Sequence, residues 1–96
     1  MGSEEKLKDK IIQQYQEDEN IMIRLFTQWC INHSIDALTL YKNAYPFQVE
    51  NEILIRIMEE TEKDFLQVDT ETVLHVLELF GNEDLAFEVS QAAIKL

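Results

Sequence analysis

Apolar residues recur at helical spacing along most of this chain, and the densest run lies at 21–31, Ile-Met-Ile-Arg-Leu-Phe-Thr-Gln-Trp-Cys-Ile. Eight of these eleven residues are apolar. At about 100° per residue they cover more than the single stripe a surface helix needs. The segment is therefore expected at the centre of the fold, sandwiched by other helices or sharing its surplus face with a second copy.

The flanking pattern supplies those helices. Leu7, Ile11, Ile12 and Tyr15 make a narrow i, i+4, i+8 stripe over 4–17. Gln16-Glu17-Asp18-Glu19-Asn20 then interrupts it. The pattern fits one long helix over 4–32; the alternative is a break near 18–20, with Asp18 or Asn20 capping a fresh helix. Asn32-His33-Ser34 ends this segment, and Ser34 is the expected N-cap of a helix over 35–44, which Pro46 terminates. A helix over 47–66 follows, with Ile53, Leu54, Ile57, Met58, Thr61 and Phe65 on one face and Arg56, Glu59, Glu60, Glu62 and Asp64 on the rest.

Asp69 reads as the next N-cap, with Val68 and Val73 placed as a hydrophobic staple. Helices over 70–80 and 83–95 are joined at Gly81, which suits a left-handed C′ position, and at Asn82, a second cap. The expected fold is all-α: a compact bundle of four to five helices with short loops and a C-terminal helical hairpin, one domain over 1–96. Residues 1–3 are read as disordered or as an expression remnant. Two glycines and one proline leave little material for tight hairpins or linkers, which agrees with helices joined by short loops.

Charge narrows the function classes. Nineteen acids against eight bases give a formal charge of −11, and residues 1–10 are neutral overall, so the excess lies after them. Nucleic-acid backbones and anionic lipid surfaces are repelled by such a chain, and a basic partner is attracted. No apolar leader opens the chain, and 21–31 is too short and too interrupted to span a membrane. One cysteine, Cys30, allows no intrachain disulfide. A reducing compartment follows, with the cytoplasm as the expected location.

Candidate chemistry is sparse. Cys30 and His33 stand at i, i+3, but a zinc site needs three or four ligands and the only other histidine is His75. Cys30 is read as a small buried hydrophobe and His75 as an exposed residue between Glu71 and Glu78. Glu59, Glu60, Glu62 and Asp64 lack the inward Glu-x-x-His of a di-iron bundle and the central glycine of a calcium loop. They read as a solvated face that acts, if at all, as a collective negative field. The hairpin over 70–95 resembles a helix-turn-helix in outline, but the second helix opens Asn82-Glu83-Asp84, which would set carboxylates against phosphates. Gly-rich phosphate loops and nucleophile elbows are absent from the sequence.

The expectation is a small acidic protein-binding module, an adaptor, regulator or inhibitor, with no catalytic residue, cofactor or metal. Its partner is another protein with a basic surface. Self-pairing to a homodimer through the surplus face of 21–31 is the accompanying expectation; direct nucleic-acid or membrane binding is not expected. Trp29, Tyr45 and Phe47 are the expected apolar anchors, the latter two because they bracket Pro46 in a loop. Glu59, Glu60, Glu62 and Asp64 are the expected steering charges. The alternative is a DNA mimic or immunity-type inhibitor, in which Glu50, Glu59, Glu60, Glu62, Asp64, Glu83 and Glu88 form one ridge spaced like phosphates.

Overall fold

The computed structural model describes residues 20–96. The readings made above for 4–17, for residues 1–3 and for continuity across 18–20 lie outside the described residues. Within them the protein is all-helical: α1 over 20–32, α2 Ala37–Ala44, α3 Glu52–Glu60, α4 Thr70–Leu79 and α5 Glu83–Ile94. No helix among the described residues is long and apolar enough to cross a membrane.

The apolar pattern of α1 explains its position. Met22, Phe26, Trp29 and Cys30 fall at i, i+4, i+7 and i+8, one face of a helix, and all four are buried. Around them lie Ala37 and Leu40 of α2, Leu54 of α3, Val73 and Leu77 of α4, and Leu85, Ala86 and Val89 of α5. One core thus takes residues from every described helix, with α1 at its centre. The C-terminal hairpin forms as the spacing predicts: α5 packs along α4 and also along α2, while α3 touches α2.

Two helices end in the same device. After α1, Ile35 N–H donates to Cys30 O at 2.8 Å and Ser34 N–H to Ile31 O at 3.1 Å. This paired closure turns the chain through a left-handed residue, and Ser34 takes that position at φ 57°. After α4, Asn82 N–H donates to Leu77 O at 2.8 Å and Gly81 N–H to Glu78 O at 3.0 Å, with Gly81 at φ 74°. Gly81 is where the sequence places it. Ser34 is a correction: it closes α1 instead of capping α2. The cap of α2 is Asp36, whose carboxylate accepts from Leu38 N–H at 3.0 Å and from the Thr39 hydroxyl at 3.0 Å.

The expected helix over 47–66 is shortened at both ends. Asn51 caps α3 by accepting from Ile53 and Leu54 N–H, and residues 45–51 form the connection around Pro46. At the other end Thr61 is extended at ψ 124°, and residues 61–69 form an ordered loop. Periodicity alone would continue the helix to Phe65; the loop wins because side chains of α1 hydrogen-bond its backbone, as described next. Asp69 and Asn82 hold the N-cap positions of α4 and α5 without side-chain cap bonds. The Asn82 amide instead accepts from the Tyr45 hydroxyl at 2.7 Å and donates to Met22 Sδ at 3.1 Å, which ties the end of α2 and the α4–α5 turn to α1.

Candidate functional site

The C-terminal half of α1 carries two amides one turn apart, Gln28 and Asn32. Both face the 61–69 loop. Gln28 is buried, and its Nε2 donates to Asn32 Oδ1 at 2.7 Å and to Glu62 O at 2.9 Å. Asn32 Oδ1 also accepts from Asp64 N–H at 2.7 Å, and Asn32 Nδ2 donates to Leu66 O at 2.8 Å. Lys63 Nζ reaches Ser34 Oγ at 3.2 Å. Every one of these bonds spans more than twenty-five residues of chain except the pair within α1. The loop is therefore fixed by tertiary contacts, with Asp64 held at φ 61°. Asp tolerates this left-handed position better than most residues, at a cost of about 1 kcal/mol that its own N–H bond offsets.

The consequence is a presented apolar pair. Phe65 is 79 % exposed and Leu66 52 %, on a backbone that is not free to tuck them away. Between them and α1 lies a groove of about 370 Å³, also lined by Leu25, Gln28, Glu60 and Glu62, with Arg24 at one end. Its lining mixes three apolar side chains, Leu25, Phe65 and Leu66, with the exposed charges of Arg24, Glu60 and Glu62 and the buried amide of Gln28. A preorganised loop of this kind loses little freedom when a partner docks, which is where affinity is gained.

The residues expected from the sequence are distributed unevenly over this site. Glu60 and Glu62 line the groove and Asp64 belongs to its loop, whereas Glu59 is exposed on α3 without lining it. Phe47 is 99 % exposed but sits on the α2–α3 connection, and Tyr45 is partly buried, its ring edge-on to Tyr41 at 5.1 Å and its hydroxyl committed to Asn82. Burial, with the charge of Asp84 beside it, pushes the Tyr45 phenol upward. Trp29 is a correction. It is fully buried, and its Nε1 donates to Thr70 Oγ1 at 3.0 Å, so it offers no surface to a partner in this fold. Its place at i+7 from Met22 on the same face already pointed inward.

The groove residues Leu25, Phe65 and Leu66 were not picked out by sequence reasoning. Apolar spacing places Phe65 on a helix face, and the sequence signal that points to the loop is the Gln28–Asn32 amide pair beside a buried stripe. The acids considered as one ridge fall on separate elements: Glu50 on the α2–α3 connection, Glu59 and Glu60 on α3, Glu62 and Asp64 on the loop after it, and Glu83 and Glu88 on α5, which does not pack against α3.

Cys30 and His33 are not brought together for chemistry. Cys30 is fully buried, and burial, with a smaller contribution from the Asp36 carboxylate, pushes its thiol well above the ordinary thiol range. His33 is exposed and its ring lies against Trp29, centroids 4.9 Å apart. Among the described residues no three His, Cys, Asp or Glu side chains gather as a metal site would require. Cys30 is thus expected to resist a thiol-specific reagent in the native chain and to react on unfolding; prompt native-state labelling would show the core to be open. The folded chain also keeps the thiol proton where the unfolded chain loses it. That contribution to stability is full below the ordinary thiol range, about pH 8.5, and is lost as pH rises beyond it. Urea midpoints should therefore fall more steeply on the alkaline side for the native chain than for Cys30→Ala.

Comparison with known proteins adds a family and no activity. No solved structure matches the chain. A protein of Bacillus subtilis (strain 168) named "Uncharacterized protein YxiS" is 41 % identical over 86 residues, which is 86 % of this chain and 90 % of that protein. The family described as YxiS matches residues 3–94. With nearly the whole chain matched, this protein belongs to the YxiS family.

Proposed function

We propose that this chain is a small, non-enzymatic, cytoplasmic protein-binding module that captures a basic partner at the groove between α1 and the 61–69 loop. The observation that carries the reading is Phe65, a large apolar side chain 79 % exposed on a loop whose backbone is pinned by Gln28 and Asn32. Isolated exposed apolar residues are ordinary on protein surfaces. One held outward in a lining that also includes Leu66, Leu25, Glu60 and Glu62 has the make-up of an interface anchor: apolar area with charged neighbours.

The carboxylates speed the encounter and select against acidic partners, while the apolar side chains Leu25, Phe65 and Leu66 set the residence time. The cytoplasmic assignment is supported by a single buried cysteine with no disulfide partner. The test is retention of proteins from the source cell on the full chain against retention on Phe65→Ser, which changes no charge. A partner held by the native chain should be lost from the variant and should elute partly in high salt. Identical retention by both baits, or none by either, would remove the reading.

A further inference from the structure

A second hollow, of about 280 Å³, adjoins the groove and shares Arg24 and Glu60 with it. It lies between α1 and α3. Asn20 and Arg24, four residues apart, come from α1, while Ile53, Arg56, Ile57 and Glu60, at i, i+3, i+4 and i+7, share one face of α3. Arg24 and Arg56 are the two arginines of the chain, its other six bases being lysines. Both line this one hollow.

Two like charges on one hollow repel each other, and Glu60 in the same lining offsets one of them. A single positive charge is left over, which a monoanion balances. Arginine presents its N–H groups as a planar fork that matches the two oxygens of a carboxylate, which the lysine ammonium does not. Ile53, 48 % exposed, adds apolar surface to the same lining. We propose that this hollow binds a carboxylate carried on an apolar body, with Arg24 and Arg56 gripping the carboxylate from the two helices and Ile53 meeting the body.

Size and charge both narrow the ligand. A water molecule takes about 30 Å³ and a carboxylate group is not much larger, so most of the hollow is left for what the carboxylate is attached to. A bare ion would leave Ile53 unmet. A phosphate dianion exceeds the local positive charge and sets its second charge against Glu60. Two sources offer the favoured chemistry: a small free aliphatic acid, or the chain end of a peptide lying in the adjoining groove. Only the second source rests on the partner-binding reading; the carboxylate site itself does not.

The test uses the full, isotope-enriched chain and follows amide signals by NMR. Sodium isovalerate, sodium acetate and sodium phosphate are titrated in mildly alkaline buffer, where the phosphate is mostly a dianion, each against sodium chloride at matched ionic strength. Isovalerate should give saturable shifts centred on 20–24 and 53–60, and bind more tightly than acetate by about fourfold for each methylene laid on Ile53. Arg24→Gln and Arg56→Gln should each weaken it by about tenfold, the usual scale for losing a charged hydrogen-bond partner. Both arginines are exposed, so these variants keep their fold. Lys42→Gln, which removes the same charge from the end of α2, should leave isovalerate binding unchanged. Shifts that match chloride, or that survive in both arginine variants, overturn the site; phosphate binding more tightly than isovalerate overturns the carboxylate assignment. The tripeptide acetyl-Lys-Ala-Leu with a free carboxylate separates the sources: tighter binding than isovalerate, with shifts spreading to 62–66, identifies a peptide end, and weaker binding identifies a free acid. Failure of isovalerate to bind leaves the groove reading standing, and equal retention of proteins by the native and Phe65→Ser chains leaves the carboxylate site standing.

Discussion

Trp29→Ala is expected to cost about 3–5 kcal/mol, the usual range for removing a large aromatic from a packed core. The indole is fully buried at the centre of the cluster, and its Nε1 hydrogen bond to Thr70 joins α1 to the first residue of α4. A domain of this size is stable by only about 5–15 kcal/mol, so the substitution removes a large share of the total. Urea unfolding should show a much lower midpoint with a similar slope. Thr70→Val isolates the polar part: it leaves a buried N–H without a partner, at about 1–3 kcal/mol. A Trp29→Ala chain of native stability that had lost only a binding activity would return Trp29 to the surface role its residue type suggests.

Asn32→Ala is expected to have the next largest effect, and a different one. Asn32 accepts from Gln28 and from Asp64 N–H and donates to Leu66 O, so its removal breaks three bonds at once and leaves Gln28 short of a partner. The cost should be about 1–3 kcal/mol. The local signature matters more than the total. Amide exchange should accelerate across 61–69 while α4 and α5 stay protected, since the loop's own helical contacts are few. The partner binding proposed for the groove should weaken in step, because Phe65 is no longer held in place. Asn32→Asp sharpens the reading: it keeps an acceptor for Asp64 N–H but sets a carboxylate oxygen against Leu66 O, and should release the loop too. Unchanged exchange in 61–69 would mean that the loop is ordered by something other than Asn32.

The helical class, the hairpin of α4 and α5, the Gly81 turn and the central position of α1 were legible in the sequence. Each of them follows from local rules. Buried positions on α1 repeat at helical spacing, Pro46 excludes helical torsions at Tyr45, and Gly81 can enter the left-handed region at little steric cost. Cys30, too, was readable as a small buried hydrophobe. Less of the candidate site was visible. Glu60 and Glu62 stood out by charge and do line the groove, but charge alone could not separate them from Glu59, which does not.

What escaped sequence reasoning depends on contacts between distant residues. The stretch 61–66 has the apolar spacing of a helix, and nothing in its own residues forbids one. It becomes a loop because Gln28 and Asn32, more than thirty residues earlier, offer amides to Glu62 O, Leu66 O and Asp64 N–H. Ser34 has the chemistry of a helix cap, yet the closure of α1 places it in the left-handed region and leaves capping to Asp36. Trp29 and Phe65 make the same point in opposite directions: the residue expected at the surface is buried, and the one expected on a packed face stands exposed. By itself the sequence determined the helical class, the C-terminal hairpin and the inward stripe of α1, because backbone torsions and apolar period act over a few residues. Only the tertiary structure decided which loop is held, and so which side chains a partner can reach, because that balance is set by hydrogen bonds between segments that meet only after the chain has folded.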